Sequence, residues 1–567
     1  MMRNPFRRDL VLLHPPAIYD FRTRETFLGP VADAVPSTTM FEMYPMGLTS
    51  IAEFLERNHY NVEIVNLAYR MLHDDRFDVP AHLARLSAPV FGIDLHWLPH
   101  AQGGLAIAEL VKAAHPDSAV LMGGLSASYY ADELIRYPFV DFVIRGDSTE
   151  EPVRRLLRAL REHEPLADVP NLTWKRADGT IVANALSHVP TDLDHVSVPA
   201  YRYLLRSMFK YRSLWNLVPC LEWLRYPITM LLTARGCTQD CAICGGSMSA
   251  YRRICGRGAP AYRSADVLAE DVRTIASFSR APIFVVHDIR MGGMPRARQF
   301  LSRLRDVNAD NEIVFELYFP GNDSFFREIE TSTASWSVEI TLESPDEALR
   351  KVNGKWPWSN AAVERTIESA LAHRCETLDL FFIIGLPHQT YQDALAIGDY
   401  CEYLLDRFGS SRRLRPFVAP LGPFLDPGSR GFEDRHLGYE RFCLTLDDHR
   451  RALLNRDWHD ILSYQTDGMT RDDIVRASYA VASHLNELKH RHQLISDATY
   501  TGIRDRLELA HTQPARAQTM IDEDEMKWPV HQRFRIGTAL LTHLATGLFE
   551  EVGHTLARVR GRYDDAA

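Results

Sequence analysis

Cys237, Cys241 and Cys244 fall within eight residues, in the segment Thr233-Ala-Arg-Gly-Cys237-Thr-Gln-Asp-Cys241-Ala-Ile-Cys244-Gly-Gly. A four-iron, four-sulfur cluster normally takes four thiolates, so three closely spaced thiols leave one iron open, and an open iron can bind a substrate. Zinc sites generally pair Cys-x2-Cys or Cys/His knuckles and close at four ligands, and no partner pair stands nearby. Packing by chance is the weaker reading, because Gly236, Gly245 and Gly246 make this a flexible turn and not a core strand. The other cysteines, Cys220, Cys255, Cys375, Cys401 and Cys443, are scattered singly and read as small buried apolar residues.

Three further turns carry chemistry downstream, each after a different apolar run. Glu343-Ser344 ends the run Ser337–Leu342, where a carboxylate could accept hydrogen bonds from a ribose or an ammonium group; the plainer alternative is a helix cap by Ser344. Gly385-Leu386-Pro387 follows Leu378–Ile384, and the glycine permits close backbone approach; the alternative is an ordinary strand-to-helix turn. Asp288 follows Ile283–His287. Residues gathered from the ends of several strands are how a barrel builds an active site.

These positions require a frame. From the start to residue 165, the runs Leu10–Leu13, Val62–Val65, Val90–Ile93, Ala119–Met122 and Phe139–Ile144 alternate with helical stretches such as Leu48–Glu56, Gly104–Ala114 and Ala131–Tyr137. That spacing predicts an α/β domain, a doubly wound parallel sheet of Rossmann-like type. Residues 166–225 read as a linker with a hairpin, Asn171–Val182, turning at Asp178-Gly179. A second βα series begins at Ile228–Thr233, includes Ile313–Phe319, and predicts a partial or full (β/α) barrel over 226–420. From 421 to 567 the long periodic segments Tyr439–Leu454, Arg471–Lys489 and Ile536–Arg558 predict a mostly helical domain.

The composition fits an ordinary folded chain of 567 residues, 46% hydrophobic and 24% charged. A net charge of −10 gives no electrostatic reason to expect nucleic acid. The run Leu10–Leu13, after Arg3, Arg7 and Arg8, is too short for a secretory segment or a membrane span, so the expectation is a cytoplasmic protein without a membrane partner.

The cysteine loop resembles the Cys-x3-Cys-x2-Cys loop of the radical S-adenosylmethionine superfamily, which follows the first barrel strand. The resemblance implies that the open iron of a 4Fe-4S cluster chelates S-adenosylmethionine and that an electron from the cluster yields a 5′-deoxyadenosyl radical. It implies adenosylmethionine contacts at Ile243, Asp288, Glu343, Ser344, Gly385 and Pro387. Ile243 departs from the aromatic residue common there, and Asp288 stands where many relatives carry a Gly-Gly-Glu turn.

The preceding sheet resembles the cobalamin-binding domain of the cobalamin-dependent radical subfamily. The similar segments are Leu13-His14-Pro15-Pro16, Tyr44-Pro45-Met46-Gly47-Leu48, Met122-Gly123-Gly124-Leu125-Ser126 and Arg145-Gly146-Asp147-Ser148-Thr149-Glu150. Cobalamin contacts are thereby implied at Pro15, Met46, Gly47, His96, Gly123, Gly124, Ser126, Gly146 and Asp147. Asp94-Leu95-His96 begins like the cobalt-ligating Asp-x-His-x-x-Gly motif but lacks its glycine, so no histidine ligand is expected from it.

The function implied is methyl transfer by way of cobalamin to an unactivated carbon, or a phosphinate phosphorus, of a small-molecule substrate in specialised biosynthesis. An external electron donor such as flavodoxin or ferredoxin is implied with it. The rivals are a radical cyclase or rearrangement catalyst without net methylation, and a cobalamin-binding sensor or carrier with a structural cluster. No catalytic acid or base can be picked out from the sequence.

Overall fold

The computed structural model describes residues 7–24, 41–197, 201–213, 215, 218, 229–355, 358–420 and 424–512. Two sheets dominate it. The first has seven strands: β1 (Leu10–His14), β2 (Val62–Asn66), β3 (Val90–Asp94), β4 (Ala119–Gly123), β5 (Phe142–Ile144), β6 (Leu172–Lys175) and β7 (Ile181–Ala183). They run in the order β2-β1-β3-β4-β5-β6-β7. β1 to β5 are parallel and read as continuous apolar runs because both faces are covered by helices. The hairpin around Asp178-Gly179 forms as expected and adds antiparallel β6 and β7 to the edge of this sheet.

The second sheet is built from β8 (Thr229–Leu232), β11 (Ile283–Val286), β12 (Glu312–Glu316), β13 (Ser335–Glu343), β14 (Leu378–Ile384) and β15 (Leu414–Pro420). It is parallel throughout, in the order β15-β14-β13-β12-β11-β8, and stays open between β8 and β15: a partial barrel. A short pair, β9 (Ala234–Arg235) and β10 (Ala261–Tyr262), lies beside the cysteine loop. β15 is a strand that the apolar-run reading missed, because Arg415 and Pro416 interrupt its hydrophobic pattern.

The chain after β15 differs in detail from the helical reading. Tyr439–Leu454 opens as a strand, β16 (Tyr439–Arg441), which pairs with β17 (Tyr464–Thr466), and only Leu446–Ala452 is helical. The helix Arg471–Arg491 forms as expected, and its Ile474, Val481, Leu485 and Leu488 share one hydrophobic cluster with β13 and β14. Ile536–Arg558 and Cys220 lie outside the described residues. Ala131–Tyr137 is helical only over Ala131–Leu134. Among the described residues, no helix is long and apolar enough to cross a membrane.

Candidate functional site

The cysteine loop leaves the second sheet just after β8 and β9, and other segments hold it through its backbone. Ala242 donates to the Asn353 carbonyl at 2.6 Å and accepts from Gly431 at 2.7 Å. Gly245 donates to Asp426 Oδ2 at 2.9 Å. Two of the sulfurs accept backbone N–H groups: Cys237 Sγ from Gln239 at 3.3 Å, and Cys244 Sγ from Gly246 at 3.2 Å. Such hydrogen bonds to sulfur stabilise thiolates and tune a cluster. Burial raises all three thiols, Cys244 to about 12 even though it keeps accessible surface, so they ionise when a metal displaces their protons. Among the described residues, no group of three or more His, Cys, Asp or Glu side chains is placed to hold one metal ion. Thiolates of a cubane cluster go to separate irons and need not converge on one ion.

The strand-end turns surround this loop unevenly. Glu343 sits at a β-bulge between β13 and β14 with φ +76°, a conformation strained for any residue but glycine. Its carboxylate is buried, which raises its pKa despite Lys355 and a hydrogen bond from Asn353. Ser344 accepts from the Asp346 N–H, while Asp346 itself caps the helix Glu347–Asn353. At Gly385, φ is +102° and an added Cβ would lie 2.8 Å from the Tyr464 hydroxyl. Gln389 Oε1 accepts from the Gly385 and Leu386 N–H groups, and Tyr439 donates to the Gly385 carbonyl at 2.9 Å. Pro387 is buried in the same turn, and Thr390 forms a capping box with Asp393.

Asp288 is placed differently from the expected ammonium contact. Its oxygens accept from Arg290 and from the Tyr318 and Phe319 N–H groups, so the carboxylate holds the β11 and β12 turns together. Ile243 likewise packs into the hydrophobic cluster of the second sheet. The groups that sequence reasoning passed over are Glu316, half-buried at the end of β12, and Lys355, whose ammonium lies 5.4 Å above the Tyr318 ring. Lys355 attracts the Cys237, Cys241, Glu316 and Glu343 charges. Only its place at the end of the Glu-Ser turn signals it in the sequence. Asp426, on the Gly245 N–H, is half-buried, and its lost hydration pushes it up to about 6.

A cavity of about 340 Å3 opens at the C-terminal edge of the first sheet. Met46, Gly47, His96, Gly123, Gly124, Gly146 and Asp147 line it. Pro15 and Ser126 do not: Pro15 lies against the helix Ala101–Ala114, and Ser126 Oγ donates to the His96 carbonyl at 3.1 Å. Gly124 has φ +117°, and a Cβ there would stand 2.6 Å from His96 N and Leu95 O. Only glycine lets the backbone close over this edge.

The opposite wall belongs to the second sheet. Leu232, Ala234 and Arg235, directly before the cysteine loop, line the cavity together with Val286 and His287. Two buried ion pairs fasten the walls: Arg235 with Glu150, Nη1 to Oε2 at 3.0 Å, and Arg257 with Asp147. Burial would raise Glu150, but the Arg235 guanidinium and a hydrogen bond from Ser50 outweigh it and hold the carboxyl at about 2. His287 has φ +72°, its Nδ1 is buried without a partner, and burial lowers it to about 4, leaving a neutral ring.

Residues 34–156 match the family model of the B12 binding domain. Among curated proteins it is 25% identical over 312 residues to the hopanoid C-3 methylase of Methylococcus capsulatus, covering 50% of this chain and 53% of that enzyme. It is 22% identical over 419 residues to the cytidylyl-2-hydroxyethylphosphonate methyltransferase of Streptomyces wedmorensis, covering 65% and 76%. The chain thus spans about half the length of the first of these relatives. Its fold is similar to that of TsrM, a radical S-adenosylmethionine methyltransferase from Kitasatospora setae solved with tryptophan and a SAM analogue (TM-score 0.57, 13% identity, 88% of this chain and 98% of that one). The likeness to TsrM is one of fold.

Proposed function

We propose that this protein is a cobalamin-dependent radical S-adenosylmethionine methyltransferase acting on a small molecule at a position that polar methyl transfer cannot reach. The observation that carries the reading is the shared cavity. The glycine-edged C-terminal side of the B12-binding domain faces the residues that lead into the cysteine loop, so a methyl donor and a radical source held there act on the same space. When bound, cobalamin supplies the methyl carrier, and the cluster with S-adenosylmethionine supplies the one-electron chemistry.

The chain's own residues do the rest. Gly123, Gly124 and Gly146 admit the corrin edge, and Met46 and Gly47 close the same rim. Cys237, Cys241 and Cys244 are the cluster ligands in this reading. Glu343 and the Ser344 turn stand at the mouth of the barrel for the adenosylmethionine, with Glu316 in place of the engaged Asp288 to accept its ammonium. The Gly385–Pro387 turn offers backbone to the adenine. Lys355 offsets the negative charge that the thiolates and both glutamates concentrate there. Single electrons come from an external donor of the flavodoxin or ferredoxin kind.

The test is anaerobic incubation of reconstituted protein with methyl-deuterated S-adenosylmethionine and a panel of candidate acceptors, read by mass spectrometry. Methyl transfer gives a product heavier by the three deuteriums of the label. Turnover to 5′-deoxyadenosine with no labelled product across the panel would favour the cyclase or rearrangement reading.

A further inference from the structure

His287 directly follows β11 and stands on the cavity wall that the second sheet supplies. Several polar side chains around the cavity are already engaged: Arg235 and Ser50 with Glu150, Asp147 with Arg257, and Asp94 with His14. The ring of His287 is not. The residue is half-buried, with Nδ1 sealed in and without a partner, whereas Nε2 is not sealed in and no described residue bonds to it. Nε2 is therefore the nitrogen that a molecule in the cavity can reach.

The ring is held from the side of the cysteine loop. The His287 N–H donates to Glu316 Oε2 at 2.9 Å, and the Tyr318 hydroxyl donates to the same oxygen at 3.3 Å. The Tyr318 ring meets the imidazole edge to face, with 6.3 Å between centroids. Thr233 Oγ1 donates to the Val286 carbonyl at 2.7 Å, which ties the end of β11 to the residue four before Cys237. These contacts hold His287 at φ +72°, and backbone strain maintained in this way clusters where ligands are gripped. One side chain thus belongs both to the cavity and to the group of carboxylates and thiols behind it.

Burial works against the charged ring, and no carboxylate among the described residues offsets it, so the imidazole is neutral. A neutral imidazole has no charge with which to hold a carboxylate, a phosphate or an ammonium group. Its Nε2 accepts a hydrogen bond in one tautomer and donates one in the other, and a hydroxyl pairs with either.

We propose that His287 binds the substrate, its Nε2 hydrogen-bonding an uncharged hydroxyl next to the carbon that receives the methyl group, so that the substrate is an alcohol. The inference rests on the methyltransferase reading and names the substrate class for the same space. A hydrogen bond at the boundary between the two edges fixes the neighbouring carbon where both can act on it. An acceptor without the hydroxyl leaves Nε2 unpaired, and that loss supplies the discrimination.

The test begins with the full chain loaded with cluster, cobalamin and S-adenosylmethionine, treated with diethyl pyrocarbonate and mapped by peptide mass spectrometry. His287 is expected to be carbethoxylated. An unmodified His287 beside a modified His436, which is exposed, means that a cofactor covers Nε2 and overturns the inference. The loaded protein then receives methyl-deuterated S-adenosylmethionine and matched pairs of acceptors, each an alcohol and its deoxy counterpart on one carbon skeleton, taken from hydroxy acids, sugars and terpenoid alcohols. The label is expected on alcohols, with kcat/KM about tenfold or more above that of the deoxy partner. His287→Phe is expected to bring the two within about twofold, and His287→Gln, which keeps a hydrogen-bonding group, to retain a preference of about threefold or more. Iron and cobalt contents show whether each variant is loaded, and the wild-type ratio decides where one is not. Deoxy partners methylated as well as alcohols, or a preference unchanged in loaded His287→Phe, overturns the inference while leaving methyl transfer standing. No labelled product from any pair overturns the methyltransferase reading beneath it.

Discussion

The two strand edges that face one another across the cavity are built from opposite materials. The first sheet presents backbone and small side chains: Gly92, Gly123, Gly124 and Gly146, with charge confined to pairs. The second presents three thiols, the buried Glu343 and half-buried Glu316 carboxylates and one ammonium group within mutual electrostatic reach. A glycine edge suits a large preformed ligand that needs surface and little charge compensation. A charged edge suits a cluster and a zwitterion, whose charges must be met in a low-dielectric site. On the proposed reading one edge carries a cofactor and the other generates reactivity, so lesions on the two sides should separate.

The largest expected effect tests that separation. Cys241→Ala should lower product formation by about 1,000-fold or more and remove the visible absorbance of the cluster, while cobalamin uptake stays within about twofold of wild type. Loss of both together would show that the edges are not independent. The reciprocal lesion is Gly124→Val, where φ +117° and backbone atoms at 2.6 Å leave no room for a side chain. It should weaken cobalamin binding about 100-fold, roughly 3 kcal/mol, with iron content unchanged by metal analysis.

Glu150 probes the fastening between the edges. Glu150→Gln leaves Arg235 buried without its counter-charge and should cost about 3 kcal/mol in denaturant unfolding. Because the folded-state pKa lies below the unfolded value, this stabilisation is full above about pH 5 and is lost as pH falls through about 2, so the variant should show a flatter acid limb. The smallest effect is expected at Gly385→Ala, strained by φ +102° and crowded by Tyr464. It should cost about 1–2 kcal/mol of stability and less than about tenfold in S-adenosylmethionine affinity by calorimetry.

What the sequence showed and what it hid divide along the same line. The cysteine spacing, the glycine-bearing turns and ten strands across the two sheets could be read because each signal lies within one short segment. Asp288 could not be resolved, because its engagement depends on Arg290 and on the Tyr318 and Phe319 backbone thirty residues away. Asp426 reaches Gly245 across 181 residues, and Arg235 reaches Glu150 across 85. Tyr439 and Tyr464 cover Gly385 from a hairpin whose first strand begins a segment that reads as a helix. Tertiary partners of this kind leave no local pattern to find.

The central claim is that both edges act on one substrate, and counting products tests it most directly. With a methyl acceptor present, S-adenosylhomocysteine and 5′-deoxyadenosine should accumulate in about a one-to-one ratio, and Cys241→Ala and Gly124→Val should each abolish the methylated product. Methylated product that persists in either variant, or 5′-deoxyadenosine formed without S-adenosylhomocysteine in the wild type, would contradict the account.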